Sequence, residues 1–358
     1  MAKEKKQKRI LIAAAVMLML LLVLPMGICI IVYEQNFGVR HQTDAALAFH
    51  PEDFPGLRRT EHAFLSDKGQ TLAGYLYDTG DTQPKGIVVI AHGFGGGGHN
   101  SYMDCANFFA QNGYSVFAYD ATGNDESEGN GVIGLSQGLI DLDYAISYLQ
   151  SQDRFRDLPI MLFGHSWGGY AVTNVLNYHP EVKAVVSVCG FNRASDLLKA
   201  QGCQILGPGA KLLAPYIHAY EYLKFGGYST SSAMEGFRKS DAAVFVIHSQ
   251  DDTTVPQEYG YDIYHAAYGD SDRFTFVHYT DRGHSNVYRS QEYKDYIDSF
   301  NETYAQWRKT WPDDLTSEEK VQYRAAYLEE NLDRTIYCNR LDEELFREIL
   351  AFYDANLN

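Results

Sequence analysis

The chain has 358 residues, 45% of them hydrophobic, and a formal charge of −16 at neutral pH. That length suits one large domain with additions or two modest ones, and an acidic body without a basic stripe argues against nucleic acid as a partner. The charge is uneven, because "MAKEKKQKR" at residues 1–9 carries five Lys/Arg against one Glu.

Residues 1–9 therefore form a basic head. Residues 10–32, "ILIAAAVMLMLLLVLPMGICIIV", hold no charged side chain for 23 positions, enough for a helix to cross roughly 30 Å of hydrocarbon. The run exceeds the apolar core of a cleaved signal, about 7–15 residues, and no small-x-small site follows it, so it reads as an uncleaved transmembrane signal anchor. The positive-inside tendency keeps the basic head cytoplasmic and places the remainder outside the membrane. Residues 33–59 mix charge, Pro and Gly without periodicity and read as a stalk or linker.

From residue 60 to 309, short apolar β-rich runs alternate with helical stretches, the pattern of an α/β domain with a mostly parallel sheet flanked by helices. The runs are "TLAGYLY", "GIVVIAH", "YSVFAYD", "IMLFGH", "VKAVVSV", "AAVFVIH" and "RFTFVHY". The segment around "EHAFLSDKGQTLAGYLY" reads as an antiparallel hairpin at the sheet edge. The alternation breaks over about 190–241, an insertion rich in Tyr and Gly that reads as a helical lid over the carboxyl ends of the strands. Its Tyr216, Tyr220 and Tyr222 are candidates to line a substrate pocket, and Glu221 or Glu235 to hold an amino terminus. Residues 310–358 read as two acidic amphipathic helices forming a C-terminal extension, with Leu341, Leu345, Ile349 and Phe352 at helical spacing to pack on the body. Cys105, Cys189, Cys203 and Cys338 have no spacing that selects a pairing, so neither a disulfide nor a metal cluster is expected.

The pattern G-x-S-x-G, which marks a serine on a sharp strand-to-helix turn, occurs twice: "GLSQG" at 134–138 and "GHSWG" at 164–168. "GHSWG" follows the buried-type strand "PIMLF" and opens a helix, whereas "GLSQG" follows a polar glycine-rich loop. Ser136 therefore reads as a hydroxyl near a helix start, suited to N-terminal capping, and Ser166 as the nucleophile. A serine needs a base and an orienting acid in the chain order Ser, Asp/Glu, His. Asp251 and Asp252 follow the strand "AAVFVIH", and His284 follows "RFTFVHY". The helix start makes the Trp167 N–H one oxyanion donor. "HGFGGGG" after an early strand supplies the other, with Phe94 N–H first and Gly95 next. A phosphate cradle would need a Lys-Ser/Thr or a spaced acidic residue that is absent. His92 in this loop and His165 beside the nucleophile are further substrate-contact candidates.

Together, "HGFGG", "YDATGNDESEG", "GHSWGG", "HSQDDTTVP" and "GHSN" resemble the α/β-hydrolase superfamily, and more narrowly the bacterial serine-aminopeptidase-like and prolyl-oligopeptidase-like serine hydrolases, over about residues 60–308. The family pattern H-G-x-x-D-x-x-V-P aligns His248, Asp252, Val255 and Pro256, which favours Asp252 over Asp251. "YDATGNDESEG" keeps Asp120, Gly123, Ser127 and Gly129 but has Thr122 and Asp125 where Arg and Gly are common. The resemblance implies an α/β-hydrolase fold with a lid, and a triad of Ser166, Asp252 and His284. The expected function is a membrane-anchored, extracytoplasmic serine hydrolase cleaving a carboxylic ester without cofactor or metal. A peptidase acting on short peptides is the competing enzyme, and a non-catalytic surface binding module the reading from another class.

Overall fold

The computed structural model describes residues 2–80 and 83–357. Eight strands form one sheet: β1 Arg58–Leu65, β2 Thr71–Asp78, β3 Ile87–Ala91, β4 Ser115–Tyr119, β5 Ile160–His165, β6 Ala184–Val188, β7 Ala243–Ser249 and β8 Phe274–Tyr279. Their spatial order is β1-β2-β4-β3-β5-β6-β7-β8. β1 and β2 pair antiparallel as the expected edge hairpin, β2 joins β4 antiparallel, and every later pairing is parallel. The central strands β3 to β7 are buried on both faces, which is why they read as continuous apolar runs rather than alternating ones.

Among the described residues there are twelve α-helices: α1 Ala2–Phe37, α2 Met103–Gln111, α3 Leu135–Ser151, α4 Trp167–Asn174, α5 Ala194–Leu206, α6 Ala214–Phe225, α7 Ala233–Lys239, α8 Tyr261–Tyr268, α9 Gln291–Arg308, α10 Ser317–Asn331, α11 Arg334–Cys338 and α12 Glu343–Ala355. Side chains that alternate along each strand feed two apolar clusters. Val89 joins α3 and α4 residues in one, and Val88 joins α2 and α12 residues in the other. Helices α5 to α7 make up the inserted segment between β6 and β7.

Two segments differ from their sequence reading. Residues 33–59, expected as a stalk, are packed: α1 continues to Phe37, and Tyr33, Phe37, Phe49, Phe54 and Leu57 are all buried. The aromatic side chains scattered through this polar text bind it to the body, and no local periodicity announces that. The C-terminal extension contains three helices rather than two, because Asp333 caps the short α11 through its bonds to Thr335 N and Ile336 N. Leu345, Phe346, Ile349 and Tyr353 of α12 are buried in the second cluster, each contributing roughly 1.5–3 kcal/mol by burial. The Tyr353 hydroxyl donates to the Leu162 carbonyl of β5 at 2.7 Å, so the extension rests directly on the central sheet.

Helix α1 changes character along its length. Its 36 residues span about 54 Å, and the helix is long and apolar enough over Lys3–Phe37 to cross a membrane. From Ile10 to Leu24 its large side chains are exposed, whereas beyond Pro25 the residues Cys29, Tyr33 and Phe37 are buried at four-residue spacing.

Candidate active site

The loops after β3, β5, β7 and β8 leave one edge of the sheet, the carboxyl end of its parallel strands, where such sheets gather functional groups. Ser166 sits between β5 and α4 with φ 58° and ψ −114°, a strained conformation for a residue with a side chain. The turn closes only because its flanks are glycine. A Cβ on Gly164 would run into the Gly168 carbonyl, and one on Gly168 into the Ala91 carbonyl of β3. The strain points the Ser166 hydroxyl away from the sheet, and His284 Nε2 lies 2.8 Å from its Oγ.

His284 Nδ1 lies 2.7 Å from Asp252 Oδ2. The other carboxylate oxygen of Asp252 accepts the N–H groups of Thr254 and Val255 at 2.9 Å each. Burial opposes the Asp252 charge, but the bond to His284 and the Val255 N–H hold its carboxyl below the usual range. Asp251, the neighbouring candidate, points elsewhere: it accepts from Ser249 Oγ at 2.6 Å and from Gly283 N–H at 2.8 Å, which braces the His284 loop. Cys189 Sγ comes within 4.8 Å of Asp252 and His284 donor atoms. Those two atoms are already bonded to each other and burial pushes the thiol up, so the trio is a poor metal cage.

His165 works behind the serine. Its Nε2 faces the His284 carbonyl at 2.9 Å and must donate, so Nδ1 must accept from the Tyr102 hydroxyl, also at 2.9 Å. That hydroxyl in turn accepts the Gly93 N–H at 3.0 Å. A single imidazole tautomer thus ties the His284 loop to the glycine-rich loop that carries Phe94. Burial drives the His165 pKa down to about 3, which keeps the ring neutral for this role. Tyr102 went unnoticed in the sequence, where it is one of 27 tyrosines.

Two cavities meet at Ser166 and His284. One, of about 250 Å³, is apolar and runs between Trp167, Phe191 and Leu198 and the last turns of α1, where Val32, Tyr33 and Phe37 wall it. The other, of about 300 Å³, is polar and is lined by Tyr102, His165, Tyr288, Arg289 and Arg340. Phe94 borders both, with its ring edge-on to Trp167 at 5.8 Å. The Trp167 N–H lies in the first turn of α4, where backbone donors have no partner within the helix.

Other sequence candidates lie apart from this junction. His92 is buried with both ring nitrogens engaged, Nδ1 to the Gly93 carbonyl at 2.8 Å and Nε2 accepting from Ala121 N–H at 2.9 Å, so it supports the loop from beneath. Gly95 takes φ +88° and lines neither cavity. Two of the three inserted tyrosines face α1 instead, Tyr216 donating to the Leu21 carbonyl and Tyr220 to Glu34 at 2.6 Å, while Tyr222 is exposed. Glu221 is not free to hold an amino terminus, because it is buried and accepts from Tyr33 and, at 2.9 Å, from Ser136. Glu235 pairs with Lys239 at 2.8 Å outside both cavities.

Residues 82–219 match the family model described as serine aminopeptidase, S33. Among curated proteins, the chain is 29% identical over 121 residues to the quorum-quenching protein AidA of Acinetobacter baumannii, covering 33% of this chain and 40% of that protein. It is 33% identical over 115 residues to a monoacylglycerol lipase of Mycolicibacterium smegmatis, covering 31% of this chain and 39% of the lipase. The matched stretches span about two fifths of these relatives. An esterase structure from Pyrococcus furiosus superposes with a TM-score of 0.53 at 15% identity, covering 76% of this chain and 98% of the esterase. An acetyl xylan esterase from Paenibacillus sp. R4 superposes with a TM-score of 0.52 at 15% identity, covering 72% and 87%. The fold is that of the α/β-hydrolases.

Proposed function

We propose that this chain, an α/β-hydrolase by its fold, is a membrane-anchored, extracytoplasmic serine hydrolase that cleaves a carboxylic ester through an acyl-enzyme. The observation that carries this reading is the unbroken hydrogen-bonded line from Ser166 through His284 to Asp252 at the junction of two cavities. His284 Nε2 takes the Ser166 proton as Oγ attacks the ester carbonyl, and Asp252 holds the imidazole in the tautomer that accepts it. The N–H groups of Trp167 and Phe94 receive the oxyanion. His284 then returns the proton to the departing alcohol, and water releases the acid by the same route in reverse.

The cavities support an ester over a peptide with a free amino terminus. An aminopeptidase needs a carboxylate for the substrate ammonium, and among the described residues no Asp or Glu lines either cavity. The hydrocarbon of the acyl group suits the apolar cavity. Because α1 walls that cavity with its last turns and exposes only apolar side chains from Ile10 to Leu24, the site opens close to the bilayer surface. The named lipase and esterases among the similar proteins agree with this substrate class. The basic head supports a cytoplasmic N-terminus.

A fluorophosphonate probe applied to the full chain in detergent tests the nucleophile. Wild type and Ser136→Ala are expected to label and Ser166→Ala to stay blank; labelling that persists in Ser166→Ala removes the assignment. Aminoacyl amides turned over faster than esters by the wild type would transfer the reading to a peptidase, and absence of both labelling and turnover to a binding module.

A further inference from the structure

The polar cavity holds a charge that ester cleavage as described leaves unused. Arg289, just after the His284 loop, and Arg340, between α11 and α12, are each only 6% exposed and both line this cavity beside Ser166. Their guanidiniums converge on a single oxygen, Asp104 Oδ2, at 2.5 Å and 2.7 Å. Burial works against the Asp104 charge, but Arg340 and then Arg289 outweigh it and hold the carboxyl down at about 2. Asp104 is therefore ionised at any physiological pH, and the cluster carries two positive charges against one negative. No Asp or Glu among the described residues lines the cavity itself, and His165 is neutral.

A net buried charge without a counter-charge is costly. The donors are also incompletely used. Arg289 gives Nη1 to Asp104 and Nη2 to the Tyr288 hydroxyl at 2.8 Å, and Arg340 gives Nε to Asp104 and Nη2 to the Ser101 carbonyl at 2.7 Å. That leaves Nε of Arg289 and Nη1 of Arg340 without an acceptor among the described residues, out of the five N–H donors each guanidinium offers. The cavity wall adds further polar groups in Ser285, Asn286 and Tyr293.

We propose that this cavity is a subsite for an anionic group, a carboxylate or a phosphate, carried on the alcohol side of the ester. The assignment rests on the serine hydrolase reading for its orientation: acyl hydrocarbon in the apolar cavity, carbonyl at Ser166, anion against Arg340 and Arg289. Both arginines lie beyond the stretch matched by the family model, and Arg340 comes from the C-terminal extension, which so supplies part of the specificity.

Three butyrate esters test it: butyryloxyacetate (carboxylate), 1-butyrylglycerol 3-phosphate (phosphate) and 1-butyrylglycerol (neutral). Wild type is expected to favour at least one anionic ester over the neutral one in kcat/KM by about tenfold or more, and whichever anion wins identifies the source. Arg340→Met leaves a balanced Arg289–Asp104 pair, so the preference is expected to fall to within about twofold, while Arg340→Lys keeps part of it. A readout without turnover uses Ser166→Ala: inorganic phosphate or succinate raises its Tm, and adding Arg340→Met removes the rise. Should Arg340→Met not fold, wild type decides alone, because KM for the anionic ester must climb with NaCl while KM for the neutral ester stays flat. Equal kcat/KM for all three esters in wild type overturns the subsite even if Ser166 labels normally. Loss of Ser166 labelling with the phosphate-induced Tm rise intact overturns the hydrolase reading and leaves the anion site standing.

Discussion

The two G-x-S-x-G pentapeptides share a pattern and differ in everything that the pattern is meant to signal. Ser166 follows a buried strand, adopts φ 58° and faces His284 at 2.8 Å. Ser136 lies in the first turn of α3, is fully buried, and gives its hydroxyl to Glu221 at 2.9 Å; the cap position belongs to Gly134, so Ser136 does not cap the helix as its sequence position suggests. The glycines differ in purpose too. Those around Ser166 let two stretches of backbone touch, whereas a Cβ on Gly138 would meet the Trp167 ring at 2.5 Å. "GLSQG" supports "GHSWG": the Leu135 carbonyl accepts the Trp167 indole N–H at 2.6 Å. A serine between glycines is a packing statement, and only the one at a strand end is strained toward a histidine.

The largest effect that tests this contrast is Ser166→Ala, expected to lower kcat for a butyrate ester by about a millionfold, with Ser136→Ala measured in parallel. Asp252→Asn comes next, with a loss of about 10⁴-fold, against less than about tenfold for Asp251→Asn, which only loosens the loop; comparable losses in both would dissolve the distinction between the two acids. Trp167→Phe tests the support that "GLSQG" gives to "GHSWG". Losing the indole bond to the Leu135 carbonyl, which keeps its partner within α3, is expected to cost about 1 kcal/mol in denaturant unfolding.

A smaller effect concerns pH. The folded His165 pKa lies near 3, below the ordinary value of about 6.5. Between those values the unfolded chain binds a proton that the fold refuses, so stability falls as pH drops through this window, by up to about 1.4 kcal/mol per pH unit. Above it the group contributes nothing. His165→Gln is expected to flatten that slope in unfolding curves taken from pH 7 to pH 4, and an unchanged slope would show that other groups set it. The smallest expected effect is that of Ser136→Ala on ester turnover, within about twofold of wild type.

The alternation of apolar runs and helical stretches made the sheet legible, because fully buried parallel strands must be apolar throughout. The order Ser, Asp, His after successive strands pointed to three loops that do share one sheet edge. Other features had no local signal. The aromatics at Phe49 and Phe54 sit in polar text and bury against each other and, through Phe49, against Tyr337 of α11. The inserted tyrosines were legible as a cluster but not in their direction, which α1 decides for Tyr216 and Tyr220 by accepting their hydroxyls. Arg340 lies 174 residues from Ser166 in the chain (340 − 166) and lines the same cavity.

What the sequence determined by itself was whatever depends on neighbours along the chain: the apolar length of α1, the strand periodicity, and the glycine flanks that permit the turn at Ser166. What the tertiary structure alone decided was whatever depends on neighbours in space. It put the end of α1 into the wall of the apolar cavity, set Asp252 rather than Asp251 against His284, and brought two arginines to one aspartate. Local propensity acts over a few residues, whereas burial and charge balance act over a few ångströms, and only the fold converts one distance into the other.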